Sequence, residues 1–278
     1  MHNPGARRRA GVWRWLAGFV LAAGLVYALI QPSNARDWNP DQRVLPVADF
    51  RGHHVDIRNI RNIEYRSTDD YTVRHYDRTF DLDALQSIWF VVEPFHGMEG
   101  PAHTLMSFGF AGGEYVAISV EIRKEKGEKF SPLLGILKRY ELMYVVADER
   151  DVIKLRSNFR KDDVFLYPIR TTPERRREMF VEMLQRANQL ADRPEFYNTL
   201  TNTCTTNIVR HVNTISAGRV PWSYKVLLPA YSDELAYDLG LIETTLPLDA
   251  ARQRFRINDR ALRFADDPAF SRRIREMD

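Results

Sequence analysis

Trp15 to Ile30 (WLAGFVLAAGLVYALI) is a run of sixteen residues without a charge, and it follows Arg7, Arg8, Arg9 and Arg14 directly. A run this apolar with basic flanks reads as a membrane-directed segment, which makes the rest of the chain a separate body. At 1.5 Å per residue it is slightly short for a hydrocarbon core of about 30 Å, but Val12 and Trp13 extend it if Arg14 reaches back to the headgroups. The arginines hold their end in the cytoplasm and send the chain from Arg36 onward across the membrane. This predicts an N-terminal transmembrane helix within residues 1–35. The competing expectation is a cleaved signal, because Ser33 and Ala35 are small residues three and one before a cut at Arg36.

The body is compositionally ordinary. The chain is 44% hydrophobic and 28% charged, which calls for an apolar core. A single cysteine excludes an intramolecular disulfide framework and any Cys-rich metal site. Of the 40 Lys and Arg, four lie in the first 30 residues, leaving 36 against 37 acidic side chains. So balanced a body has no overall field that would favour nucleic acid, and none is expected as a partner.

Turn and periodicity signals organise residues 36–215. Val55 to Ile63 alternates as a half-buried strand, and Ser87–Glu93 is a short β-rich run ending at Pro94. His103–Phe110 and Glu114–Glu121 flank Ala111-Gly112-Gly113, which predicts an antiparallel hairpin with Phe110 opposite Glu114 and His103 opposite Glu121. Tyr140–Ala147, Val152–Leu155 and Val164–Ile169 complete an expected sheet of five or six strands. Thr172-Pro173-Glu174 opens a helix whose apolar positions are Met179, Phe180, Met183, Leu184, Ala187 and Leu190. A second helix contains Ile208, Val209 and Val212. Residues 216–278 read as a charged, mostly helical extension of the same domain. The fold class expected is α+β, an antiparallel sheet packed against helices.

Cys204 lies in a polar stretch at the expected start of the second helix. There the free N–H groups and positive dipole end favour a thiolate and can receive an oxyanion. Asn202, Thr203 and Thr205 are the candidate supports of that oxyanion loop. Of the seven histidines, His211 is two helical turns from Cys204, and His53 and His54 flank a turn. His103, at the first residue of a strand, is the best candidate base, and Glu121 opposite it could orient the imidazole or simply pair with Arg123 or Arg156. His75, Asp77, His96 and His103 have no diagnostic metal spacing; no metal and no cofactor is expected.

Four separated blocks carry a family resemblance: Ala102–Phe110 (AHTLMSFGF), Ser119–Glu128 (SVEIRKEKGE), Tyr140–Asp151 (YELMYVVADERD) and Tyr197–Asn207 (YNTLTNTCTTN). Together they resemble the bacterial DUF4105 family, the Lnb N-terminal periplasmic domain, over about residues 50–215. The resemblance implies a permuted papain-like or NlpC/P60-like fold, histidine strand before cysteine helix, with His103 and Cys204 as the matching dyad. Thr203 stands where an asparagine is expected beside the cysteine. The namesake is a lipoprotein N-acyltransferase, so the resemblance implies transfer of an acyl chain from phospholipid, through a cysteine thioester, to a lipoprotein. These readings combine into an expectation of a single-pass inner-membrane protein with its bulk in the periplasm. It would act as a cysteine acyltransferase or lipase-like hydrolase. The alternatives are a cell-wall peptidase or amidase, and a non-catalytic envelope-binding protein.

Overall fold

A computed structural model describes residues 4–276, and the side chains of 13–22 and 24–276 among them. The chain divides into an N-terminal unit ending at Ser33 and a body beginning at Asn34. The N-terminal unit is a helix of 26 residues, α1 (Pro4–Leu29), on which Trp15, Phe19 and Leu21 are exposed. Among the described residues no helix is long and apolar enough to cross a membrane. The expected span draws also on Val12 and the first three arginines, whose side chains lie outside the described residues.

The body is built on ten strands. The first five are β1 (Val47–Arg51), β2 (His54–Arg61), β3 (Glu64–Tyr65), β4 (Tyr71–Thr72) and β5 (His75–Asp81). The central strands follow as β6 (Leu85–Pro94), β7 (Ala102–Phe110) and β8 (Glu114–Arg123). A short helix, α2 (Pro132–Ile136), precedes β9 (Glu141–Ala147), and α3 (Glu149–Lys154) runs into a π-helical turn, Leu155–Arg160, before β10 (Phe165–Pro168). Then come the long helices α4 (Pro173–Asp192) and α5 (Cys204–Ile215). Five short helices close the chain: α6 (Tyr224–Leu227), α7 (Ser232–Asp238), α8 (Leu248–Phe255), α9 (Asn258–Arg263) and α10 (Phe270–Arg273).

Eight strands form one sheet in the order β1-β2-β9-β8-β7-β6-β10, with β5 also on β2, rather than the five or six expected. Every pairing in it is antiparallel except the single parallel contact Arg61↔Ala147 between β2 and β9. The β7–β8 hairpin forms where the glycines allow it: Gly112 and Gly113 adopt φ of 83° and 80°, which an L side chain rarely tolerates. Its register runs from Phe110↔Glu114 to Leu105↔Ser119 without a slip, as the sequence predicts. The alternation of β2 breaks at Asn59, whose φ of 63° makes a bulge and carries the buried set from Val55 and Ile57 to Ile60.

The sheet is covered on both faces. Even-numbered residues of β7 (Met106, Phe108) pack with Phe180 of α4 and Ile208 of α5 in one core. Odd-numbered Leu105 packs with Val152 and Ile153 of α3, Ala261 of α9 and Phe270 of α10 in the other. Val152–Leu155 is therefore helical, not the strand expected. Asp148 caps α3 by accepting the Arg150 N–H, a bond that strand geometry would not offer it. Helix α4 starts as predicted, its cap Thr172 accepting the Arg175 N–H, and all six of its expected apolar positions are buried. The described part of the segment after α5, residues 216–276, carries the short helices α6–α10 and feeds both cores, through Phe255 on one side and Ile257, Phe270 and Ile274 on the other. At the start of the body, Asn34 donates to the carbonyls of Leu190 and Ala191 and accepts from Arg123, bonds that a cut after Ala35 would remove.

Candidate functional site

Cys204 is the first residue of α5, on the α4 side of the sheet, and is 8% exposed. A reciprocal capping box sets that helix start: the Thr203 hydroxyl accepts the Thr206 N–H, and the Thr206 hydroxyl accepts the Thr203 N–H at 2.7 Å. The N–H groups of Cys204 and Thr205, at the first two helical positions, have no carbonyl one turn earlier within the helix. They are the donors an oxyanion at Cys204 would meet. The thiol is part of the apolar core and lies 3.8 Å from the Thr205 hydroxyl, which is 3.0 Å from the hydroxyl of Thr104 on β7. Tyr197 lies nearby and stays protonated, its pKa raised by burial first and by the neighbouring Cys204 second.

The three expected oxyanion supports divide accordingly. Thr205 has its backbone N–H at the second helical position. The N–H of Thr203 is spent in the capping box. Asn202 is committed too: its amide donates to the Phe196 carbonyl, and its oxygen accepts from Asn207.

His103 belongs to the other face. The Ser119 hydroxyl donates to Glu121 Oε1 at 2.8 Å and lies 2.7 Å from His103 Nε2, so it accepts the Nε2–H of a neutral imidazole. Nδ1 is then the unprotonated, basic nitrogen. Direct separation of His103 Nε2 from Glu121 Oε1 is 3.9 Å, with Ser119 bridging the pair. Glu121 is held in turn by Arg156 Nη2 at 3.1 Å, and the same guanidinium reaches Glu93 through Nε at 2.5 Å. Glu121 thus pairs with Arg156 and lies one hydroxyl away from the imidazole.

Burial, seconded by Arg156, lowers the His103 pKa to about 3, so the ring is neutral at ordinary pH. Burial alone would raise Glu121, but Arg156 and Arg61 outweigh it and hold the carboxyl well below its usual range. Glu93 goes the other way: burial outweighs Arg156 and Arg160 and lifts it to about 7. The same face carries two further buried pairs, Arg61 with Asp151 at 2.8 Å and Arg275 with Glu149 at 2.6 Å. Sequence reasoning missed Ser119 and Glu93. The available signal was period two: Ser119 shares a strand face with Glu121.

The direct His103–Cys204 pair is a correction. Thr104 turns toward Thr205 on α5, so His103, one residue earlier in the same strand, points to the opposite face, where its partners are Ser119 and Glu121. No hydrogen bond joins the imidazole to the thiol. His211, as its spacing implied, serves elsewhere, with Nε2 2.6 Å from the Tyr144 hydroxyl and its pKa lowered by burial to about 4. His75, Asp77 and His96 do not gather around His103; among the described residues no three His, Cys, Asp or Glu side chains are placed to share an ion.

On the same face of the sheet lies a cavity of about 180 Å³ whose lining includes Thr205 but not Cys204. Its floor is Ile88, Phe90 and Met106 of the sheet, and Thr205, Ile208 and Val212 of α5 form one wall.

With this geometry in place, the sequence model of the Lnb N-terminal periplasmic domain matches residues 71–230, a span that holds His103, Ser119, Glu121, Arg156 and Cys204. No curated protein and no solved structure matches the chain.

Proposed function

The chain belongs to the Lnb N-terminal periplasmic domain family, and from that premise we propose that its body is a periplasmic, membrane-tethered acyltransferase or hydrolase with Cys204 as nucleophile. The observation that carries the reading is the thiol at the first position of a twelve-residue helix, beside two N–H groups without intrahelical partners. The Cys204 thiol gives up its proton to solvent, and the thiolate attacks an ester or amide carbonyl of an envelope lipid, lipoprotein or cell-wall peptide. A C–S bond forms, the N–H groups of Cys204 and Thr205 receive the oxyanion, and the alcohol or amine leaves with a proton from solvent. Water or an acceptor amine then attacks the thioester and releases the thiolate. Because His103 faces away, it stands outside this sequence of bonds. The helix before residue 30 would keep the body at the membrane surface where such substrates lie.

The test is capture of the intermediate. Full-length protein is incubated with phospholipid vesicles or with purified sacculi and analysed by mass spectrometry for a hydroxylamine-labile adduct on Cys204 and for released fragments. An adduct absent from Cys204→Ala supports the proposal. Turnover retained in Cys204→Ala overturns it.

A second reading, a non-catalytic envelope-binding protein, is favoured by one observation: the thiol is buried and touches no imidazole. It expects no adduct with either substrate, and alkylation of Cys204 that is slow until the protein is unfolded.

A further inference from the structure

We infer that the cavity under α5 binds a single-chain carboxylate amphiphile, its alkyl tail on the sheet floor and its carboxylate at Arg170, Arg175 and Arg219. Three observations converge. Phe90, Met106 and Ile208 are buried and supply an apolar interior, which stays dry when empty and gains dispersion contacts when filled. A volume of about 180 Å³ is of the order of a cavity that accepts a benzene ring, which suits one alkyl chain of roughly six to ten carbons. The lining includes three arginines and no acidic residue.

The placement of charge gives the ligand a direction. Arg170 and Arg175 are exposed and Arg219 is half-buried, so the guanidinium groups stand at the mouth while the buried side chains stand at the floor. Arg219 is fixed there by donating to the Leu239 carbonyl at 2.6 Å. Arg170 and Arg175 form no ion pair among the described residues, and carboxylate recognition by a guanidinium fork needs donors that are not already spent. The hydroxyls of Thr171 and Ser216 add neutral donors at the same lining. A neutral alcohol of equal length would gain the floor and forgo the mouth. A cationic amphiphile would meet repulsion.

Binding does not require Cys204 to react, so the inference stands or falls apart from the proposed chemistry. Purified full-length protein in an amphipathic polymer is irradiated with a diazirine-bearing medium-chain carboxylate, and the labelled peptides are mapped by mass spectrometry. Label is expected on β6, β7 and α5, displaced by octanoate at least tenfold more readily than by octanol. Cys204→Ser should label as wild type does. The surface variant Arg170→Glu with Arg175→Glu should lower labelling at least tenfold, and Met106→Trp, which fills the floor, should abolish it. If Met106→Trp does not fold, the double arginine variant decides alone. Label spread over the surface or confined to α1, equal displacement by octanol and octanoate, or labelling indifferent to the arginine variants would each overturn the inference.

Discussion

The two faces of the central sheet are both covered, and they are held by different physics. On the side of α4 and α5 most contacts are apolar: Phe108, Phe110 and Phe180 form an aromatic cluster with centroids 4.8 and 5.4 Å from Phe180, and one ion pair, Arg252 with the buried Asp233 that also accepts from Tyr167, lies at its edge. On the side of α3, α9 and α10 the core is crossed by guanidinium–carboxylate pairs, with Arg61, Arg156 and Arg275 each joining a different buried acid. Apolar packing tolerates a change of shape, because non-directional contacts can be remade by neighbours. A buried ion pair tolerates little, because removing one partner leaves the other charged and dry. The first face therefore suits a cavity that opens to a ligand, and the second suits groups held in one orientation, as Ser119 holds His103.

The sharpest way to break this contrast is Arg156→Leu. It strands Glu93 and Glu121 together and should cost on the order of 3–5 kcal/mol in urea unfolding of the full-length chain. Met106→Leu, a volume-conserving change on the apolar face, should cost less than about 1.5 kcal/mol. Equal losses from the two substitutions would mean that the charged network is not what fixes the second face.

A smaller effect is the pH dependence of stability, in which two residues of the charged face pull in opposite directions. His103 falls from 6.5 to about 3 on folding, so its contribution is fully present above the unfolded value and lost as pH falls toward 3. Glu93 rises from 4.5 to about 7, so its contribution is fully present below the unfolded value and lost as pH rises through 7. His103→Gln should remove the acid-side loss, and Glu93→Gln should flatten the decline toward neutrality, each by at most about 1.4 kcal/mol per pH unit. Urea unfolding across this range checks both. A profile that neither substitution alters would show that the buried charges titrate in the folded chain much as they do in the unfolded one.

Much of the architecture was legible in the sequence. Two glycines at the β7–β8 turn fixed the register from Phe110↔Glu114 to Leu105↔Ser119, and Thr172-Pro173 marked the start of α4 to the residue. Face assignment was not legible. On a strand with one wet side, polarity tells which residues point inward, but Thr104, Leu105, Met106, Ser107 and Phe108 are all buried. Alternation establishes that His103 and Thr104 point oppositely, and only the packing of α5 decides which of them meets Cys204. The same gap hid the role of Glu149, Asp151 and Arg156. They are core residues because α3 and its π-helical turn aim them at Ser107, Arg61 and Glu121.

The smallest expected effect is the most discriminating one. If the sheet separates the imidazole from the thiol, His103→Ala should leave the native rate of Cys204 alkylation by iodoacetamide unchanged within roughly two-fold across the pH range in which the protein stays folded. A thiol that relied on that imidazole would instead lose reactivity by an order of magnitude or more, and its pH profile would move toward that of a free cysteine. Ser119→Ala removes the hydroxyl between His103 and Glu121 without touching the α5 face, so it should reproduce the null result on alkylation. A slowed thiol in both variants would require His103 to reach Cys204 around the end of β7, and the two faces would then form one site.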